Sequence, residues 1–463
     1  MKAVISFLRV FLSLWITVNA AHSSQQSDTL VFVIMDAGGS GPRPVEDLSS
    51  SISSQAAQLD MPCVVYKTSR DWLGTGSWTY FPLLEWINSK HGKSKYWLVF
   101  IGSWAKVRVA RLVKLLHAQK SSKLVFLGRG VHDSEETIIH HFARVDSSRP
   151  FLYPDVRAGM VLSGSLIKRL AKKWTGARVK IGSEMNIDAP YEFAKFVNSE
   201  GVNLTPDPAF CVKDEDHCAI LYSPPSCGKA VDVSKIHYAI KSCEKYHSER
   251  LPVLHSTWLK HATNYAIYSD VEDSSYGTVS LGVPNTERGH CGKTLAIIHH
   301  AAQLDGMQWL VIADDDTLIS VEAMSEFLGC HDHTQLVALG ERYGYAAAMP
   351  HGYDYITGGG GMVFSRPLVE ALSGPGVCQC PTNDTPDDMF LGMCLRSLGV
   401  PITHSSAFHQ ARPMDYPPEI LEEERPVSFH KFWMVDPRQV YAQWLHSPTT
   451  TTTSTSTHSQ DEL

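Results

Sequence analysis

Apolar residues in this chain gather into short runs, and the runs recur. Trp97-Leu98-Val99-Phe100 is answered by Trp309-Leu310-Val311-Ile312, and Leu124-Val125-Phe126-Leu127-Gly128 by Leu336-Val337-Ala338-Leu339-Gly340, both 212 positions on. Gly159-Met160-Val161-Leu162-Ser163 is echoed by Gly361-Met362-Val363-Phe364-Ser365, ten residues out of step. Three matches in one order predict two related domains. Short continuous apolar runs read as strands buried on both faces. In the second copy the stretches 292–304, 320–328 and 388–398 have helical spacing, and Gly399 stands where the last would end. Alternation of strand and helix predicts an α/β fold with a mainly parallel sheet.

The ends of the chain differ in character from its middle. Lys2 and Arg9 precede and interrupt an apolar run that reaches Ala20, and Val18, Ala20 and Ala21 suit signal-peptide cleavage after Ala20. An uncleaved anchor is the competing reading, but the run from Val10 to Val18 is short for a bilayer, which needs about 20 residues. After Ser447 comes a tail of threonine and serine that cannot build a core, ending Gln460-Asp461-Glu462-Leu463, close to an ER-retention signal. Expected divisions are a signal peptide over 1–20, a first domain over 28–200, a cysteine-containing linker over 201–250, a catalytic domain over 251–446 and a disordered tail over 447–463. The mature protein should then reside in the ER lumen, without a transmembrane segment and served by a retrieval receptor.

Composition narrows the function. A formal charge of −7, without a basic stripe, argues against a nucleic-acid binder. Ten cysteines suit an oxidising compartment, and no pair has C-x-x-C spacing, so a zinc ribbon or redox dithiol has little support. Cys378 and Cys380 are expected to hold a loop through other partners. Asn203 and Asn383 open glycosylation sequons, each followed by a proline that makes occupancy uncertain.

Candidate chemistry is concentrated in the second copy. Its strand Trp309–Ala313 ends in Asp314, Asp315 and Asp316, where the first copy has Gly102, Ser103 and Trp104. Three carboxylates are too costly to bury unpaired, and a divalent cation would offset their repulsion. The alternative is an acidic turn facing water. Strand geometry would set Asp314 and Asp316 on one side and Asp315 on the other. Asp316 is the candidate metal ligand, and Asp314 and Asp315 are candidate donor contacts. Gly358, Gly359, Gly360 and Gly361 suit close approach of backbone to a ligand or to another loop, the alternative being a plain turn; the first three are counted as donor contacts. Asp388 is the candidate general base, with Asp387 as competitor, although acids also favour helix N-termini. His409 is the candidate imidazole ligand, which tilts the cation towards Mn²⁺ over Mg²⁺. The aromatic residues of Ser428-Phe429-His430-Lys431-Phe432-Trp433 are assigned to packing ahead of a sugar platform. One base, a diphosphate leaving group and a cation suffice for an inverting sugar transfer. A glycoside hydrolase would instead need two carboxylates flanking the bond.

The motifs Asp314-Asp315-Asp316, Gly340-Glu341-Arg342-Tyr343-Gly344-Tyr345, Tyr355-Ile356-Thr357 with the glycine run, and Pro386-Asp387-Asp388-Met389-Phe390-Leu391-Gly392 resemble those of the Fringe-type β1,3-glycosyltransferases. His409-Gln410-Ala411-Arg412-Pro413, Asp415-Tyr416-Pro417 and Ser428-Phe429-His430-Lys431 with Trp433 resemble the branch that extends O-linked fucose on thrombospondin type 1 repeats. The resemblance implies two GT-A domains, the first degenerate, UDP-glucose as donor, Mn²⁺ at the triplet, Asp388 as base and His409 as metal ligand. It also implies inversion to glucose-β1,3-fucose on folded, fucosylated repeats. Rival readings are a Fringe-like enzyme using UDP-GlcNAc or UDP-galactose, and a catalytically silent ER lectin or folding factor.

Overall fold

Apolar runs with strand character assemble here into two sheets of matching design. The computed structural model describes residues 28–446 apart from 37–41, 73, 136, 141–149, 183–184 and 225. The expected signal peptide and tail therefore lie outside the described residues. The first sheet contains β1 (Thr29–Met35), β2 (Cys63–Lys67), β3 (Tyr96–Gly102), β4 (Phe126–Gly128), β5 (Met160–Ser163) and β6 (Thr205–Pro206). Its order is β6-β4-β5-β3-β1-β2, with only β5 running against its neighbours. The second contains β7 (Ile236–Lys241), β8 (Tyr265–Ser269), β9 (Thr278–Ser280), β10 (Trp309–Asp314), β11 (Ala338–Gly340), β12 (Met362–Ser365) and β13 (Ile402–His404). Its order is β9-β8-β7-β10-β12-β11-β13, again with one reversed strand, β12.

The sequence echoes are echoes of register. Trp97 lies opposite Ser163 as Trp309 lies opposite Ser365. Both serine hydroxyls do the same work: Ser163 accepts from the Val125 amide and donates to the Lys123 carbonyl, and Ser365 accepts from Val337 and donates to Gln335. Each sheet is buried on both faces. Val31 and Val33 point into one apolar cluster, Leu30, Phe32 and Ile34 into another, and Val311 and Leu310 divide in the same way across the second sheet. This double burial is what makes the strands read as continuous apolar runs.

The expected linker over 201–250 does not exist as one. Its first part completes the first unit: β6 pairs with β4, and Ile220–Tyr222 pairs with Ala105–Val107. Its second part is β7, a central strand of the other sheet. Four disulfides join Cys211 to Cys218, Cys227 to Cys330, Cys291 to Cys380 and Cys378 to Cys394, so Cys378 and Cys380 do bond elsewhere. No helix among the described residues is long and apolar enough to cross a membrane.

Candidate active site

The carboxyl end of β10 is where charges collect. Parallel register sets Lys241, the last residue of β7, beside Asp314. The Lys241 ammonium lies 3.1 Å from Asp314 and 2.6 Å from Asp387, to which the Thr294 hydroxyl also donates at 2.6 Å. Burial works against the ammonium, but the two carboxylates outweigh it and raise its pKa. One buried cation thus ties the acid-bearing strand to the helix Asp387–Ser397.

Of the three aspartates, Asp315 points inward. It is 4% exposed and accepts from the Ser242 hydroxyl at 2.7 Å and from Arg250 at 2.5 Å. Asp315, expected among the donor contacts, is instead turned inward at the tight turn that follows β10, while Asp314 and Asp316 lie together on the other side. Burial pushes the Asp315 carboxyl up, whereas on Asp316 burial is outweighed by His430 and Arg250, which hold it low.

His430 is the imidazole at the site. Strand Thr317–Ile319 pairs antiparallel with Ser428–His430, setting His430 opposite Thr317, one residue from Asp316. Its Nε2 lies 3.1 Å from Asp316, and Asp314, Asp316 and His430 each offer a ligand atom within 4.8 Å of the others. Burial opposes a charged ring, but hydrogen bonding to Asp316 raises the pKa of His430. His409, the expected ligand, is outside this cluster. It is 1% exposed, donates through Nδ1 to the Ser428 carbonyl at 2.9 Å and stacks on Phe429 with ring centroids 4.4 Å apart. Burial lowers its pKa to about 4, as suits a neutral core histidine.

The glycine run is a buried turn that brings loops together. A Cβ on Gly359 would fall 2.3 Å from the His430 ring, so only glycine lets the backbone pass there. Thr317 donates to the Gly359 carbonyl, Ser428 to that of Gly360, and the Gly360 amide to Gln410 Oε1. Gly358 faces Lys241, whose ammonium lies 3.8 Å from where a Cβ would be.

Asp388 follows Asp387 at the start of the same helix and differs sharply from it. Despite burial, Lys241 and Thr294 hold Asp387 at about 2. Burial and the neighbouring Asp387 charge push Asp388 up to about 6, although the Met389 and Gly358 amides donate to it. The two adjacent carboxyls thus differ: Asp387 is fixed in a salt bridge, and Asp388 has its pKa moved towards neutrality.

The first unit reaches this helix through a hairpin. Strand Arg342–Tyr345 pairs with Tyr353–Ile356 on one side and with Met185–Asn186 of the first unit on the other. Trp78 Nε1 donates to Asp354 at 2.9 Å, and the Arg342 guanidinium sits 4.5 Å above its ring. The helix Asp387–Ser397 presses on the hairpin at Gly392, where a Cβ would lie 2.4 Å from the Asp354 carbonyl. In the first unit, Asp133 accepts from His140 and Tyr153. Asn203 and Asn383 are both exposed.

Sequence reasoning missed Lys241, Arg250 and His430. The available signals were the strand-like run Ile236–Ile240 ending in lysine, and the Phe-His pair at Phe429-His430.

Similar proteins are known. The Fringe-like family matches residues 231–451. The human beta-1,3-glucosyltransferase is 42% identical over 428 residues, covering 90% of this chain and 84% of its own. Bovine lunatic fringe, a beta-1,3-N-acetylglucosaminyltransferase, is 28% identical over 42% of this chain and 59% of its own. Among solved structures, the galactosyltransferase LgtC with donor and acceptor sugar analogues covers 46% of this chain and 98% of its own, at 10% identity and a TM-score of 0.30. The protein is thus a glycosyltransferase. The chain belongs to the Fringe-like β-1,3-glucosyltransferase family.

Proposed function

We propose that the protein transfers glucose from UDP-glucose to the 3-hydroxyl of O-linked fucose on folded thrombospondin type 1 repeats, with inversion, in the ER lumen. The observation that carries the reading is the buried Asp388 carboxyl, accepting from the Gly358 amide of a glycine turn that abuts the Asp314, Asp316 and His430 cluster. The second sheet is read as a GT-A catalytic domain. The first is read as a degenerate copy, since Gly102, Ser103 and Trp104 stand where the second has its acids.

Two carboxylates and an imidazole form a donor set suited to Mn²⁺, and their close spacing fits one cation. Asp316 and His430 would hold it, with Asp314 turned to the donor. When bound, the cation offsets charge developing on a departing diphosphate. Ionised Asp388 accepts the proton of the acceptor hydroxyl. The freed oxygen pair attacks the anomeric carbon from the face opposite UDP, and UDP leaves with the electrons of the broken bond. Lys241 keeps Asp387 ionised beside the base and carries positive charge into the space between Asp314 and the glycine turn.

Membership of a family that includes N-acetylglucosaminyltransferases supports UDP-GlcNAc as the second donor to test. Offering a panel of UDP-sugars to a fucosylated repeat decides the matter. Preferential transfer of glucose supports the reading, and preferential transfer of another sugar overturns the donor assignment.

A further inference from the structure

Trp433 was assigned to packing, yet the structure turns it outward. Trp433 is 61% exposed and Met434 71%, and no other large apolar side chain among the described residues exceeds 47%. Both sit on a strap that leaves the site directly. The Lys431 amide donates to the Asp316 carbonyl at 3.1 Å, one residue after His430. Three residues of chain span about 11 Å at most, so Trp433 lies within that distance of His430.

The strap is fixed rather than loose. Lys431 and Met434 adopt positive φ angles of 76° and 57°, a conformation non-glycine residues keep only where surroundings impose it. Arg412 donates to the Trp433 carbonyl at 3.1 Å, and its guanidinium lies 4.9 Å from the Trp433 ring centroid. Arg412 is in turn held by Asp415, which is fully buried and accepts from it at 2.8 Å and 3.1 Å. Met414, two residues beyond Arg412, is exposed as well. A buried ion pair thus supports an exposed patch of tryptophan and methionine, residue types enriched where proteins touch proteins.

We propose that Trp433 and Met434 dock the folded polypeptide that carries the acceptor sugar. The patch begins within about 11 Å of His430, near enough for a docked glycoprotein to present its sugar to the site, which a second copy of this chain would not do. This rests on the acceptor being a glycoprotein, as in the function proposed above.

The test uses the full chain with Trp433→Ala and Met434→Ala, whose exposed positions leave the cores intact. Initial rates are measured with a disulfide-bonded, O-fucosylated thrombospondin type 1 repeat and with a free fucoside, and repeat binding is read by interferometry. The expected result is a KM for the repeat about tenfold higher or more, with matching loss of binding. Donor KM and transfer to the free fucoside stay unchanged. Unaltered repeat KM and binding would overturn the proposal. Equal loss with both acceptors would assign the patch to the sugar, and a change in oligomeric state would assign it to a second copy, each against the proposal. If the wild-type enzyme transfers to neither acceptor, the functional reading fails, while the binding comparison still decides the docking surface.

Discussion

Replacing Asp388 by Asn removes the carboxylate proposed to accept the proton while changing little else. The amide oxygen of Asn can still accept from the Met389 amide, which lies 2.7 Å from Asp388 Oδ1 in the native chain. Asp388 is not a member of the cluster formed by Asp314, Asp316 and His430, so donor affinity should survive. A positioned general base contributes about 10²–10⁴ in rate, or about 3–5 kcal/mol in the barrier. The pH dependence adds a second test. The Asp388 carboxyl is raised to about 6, chiefly by burial and next by the charge of Asp387. Below that value it holds its proton and cannot act, so kcat/KM should fall about tenfold per pH unit on the acid side and level off above it. Asp387, kept at about 2 by Lys241, cannot produce that limb. Steady-state assays between pH 4.5 and 8, with donor affinity measured by calorimetry, should show kcat of the variant down by at least about a hundredfold, with the acid limb gone. A variant within a few-fold of wild type, or one keeping the same acid limb, would refute Asp388 as base.

Other predictions concern the groups around it. Lys241→Met strands Asp314 and Asp387 without their buried cation and should cost about 3–5 kcal/mol of stability, seen as a lower unfolding midpoint in denaturant; an unchanged midpoint would contradict the bridging role. His430→Ala should raise the Mn²⁺ concentration needed for half-maximal activity, whereas His409→Ala should lower thermal stability and leave that concentration alone; the opposite pattern would restore His409 as the ligand. Trp78→Ala removes the hydrogen bond to Asp354 and the ring beneath Arg342, and should lower kcat without changing donor affinity; full activity in a folded variant would show that the first unit does not support the base helix.

Much of this architecture could be read from the chain, for a definite reason. Strands buried on both faces give unbroken apolar runs, so β3 and β10 are visible in the sequence, and the echoed segments ending in Ser163 and Ser365 share one register in the fold. The triplet was legible because carboxylates directly after such a strand have few structural uses. Helix Asp387–Ser397 was placed to within a residue, and Gly399, with φ of 69°, ends it as expected. The histidine was not legible. Phe408-His409 and Phe429-His430 are near twins in sequence, and only the non-local pairing of Ser428–His430 with Thr317–Ile319 decides which ring meets Asp316. Lys241 and Arg250 were hidden for another reason: a cysteine-bearing stretch was taken for a linker, although Ile236–Ile240 carries the apolar run of a central strand. Trp433 looked like a core residue because its neighbour Phe429 is one, and a backbone turning through positive φ leaves no mark in sequence.

Anomalous diffraction from crystals grown with Mn²⁺ and UDP tests the central claim most directly. A peak bound by Asp316 and His430, touching the diphosphate and lying on the same side of the glycine turn as Asp314, is the predicted result. A peak at His409, or UDP seated away from the end of β10, would contradict it.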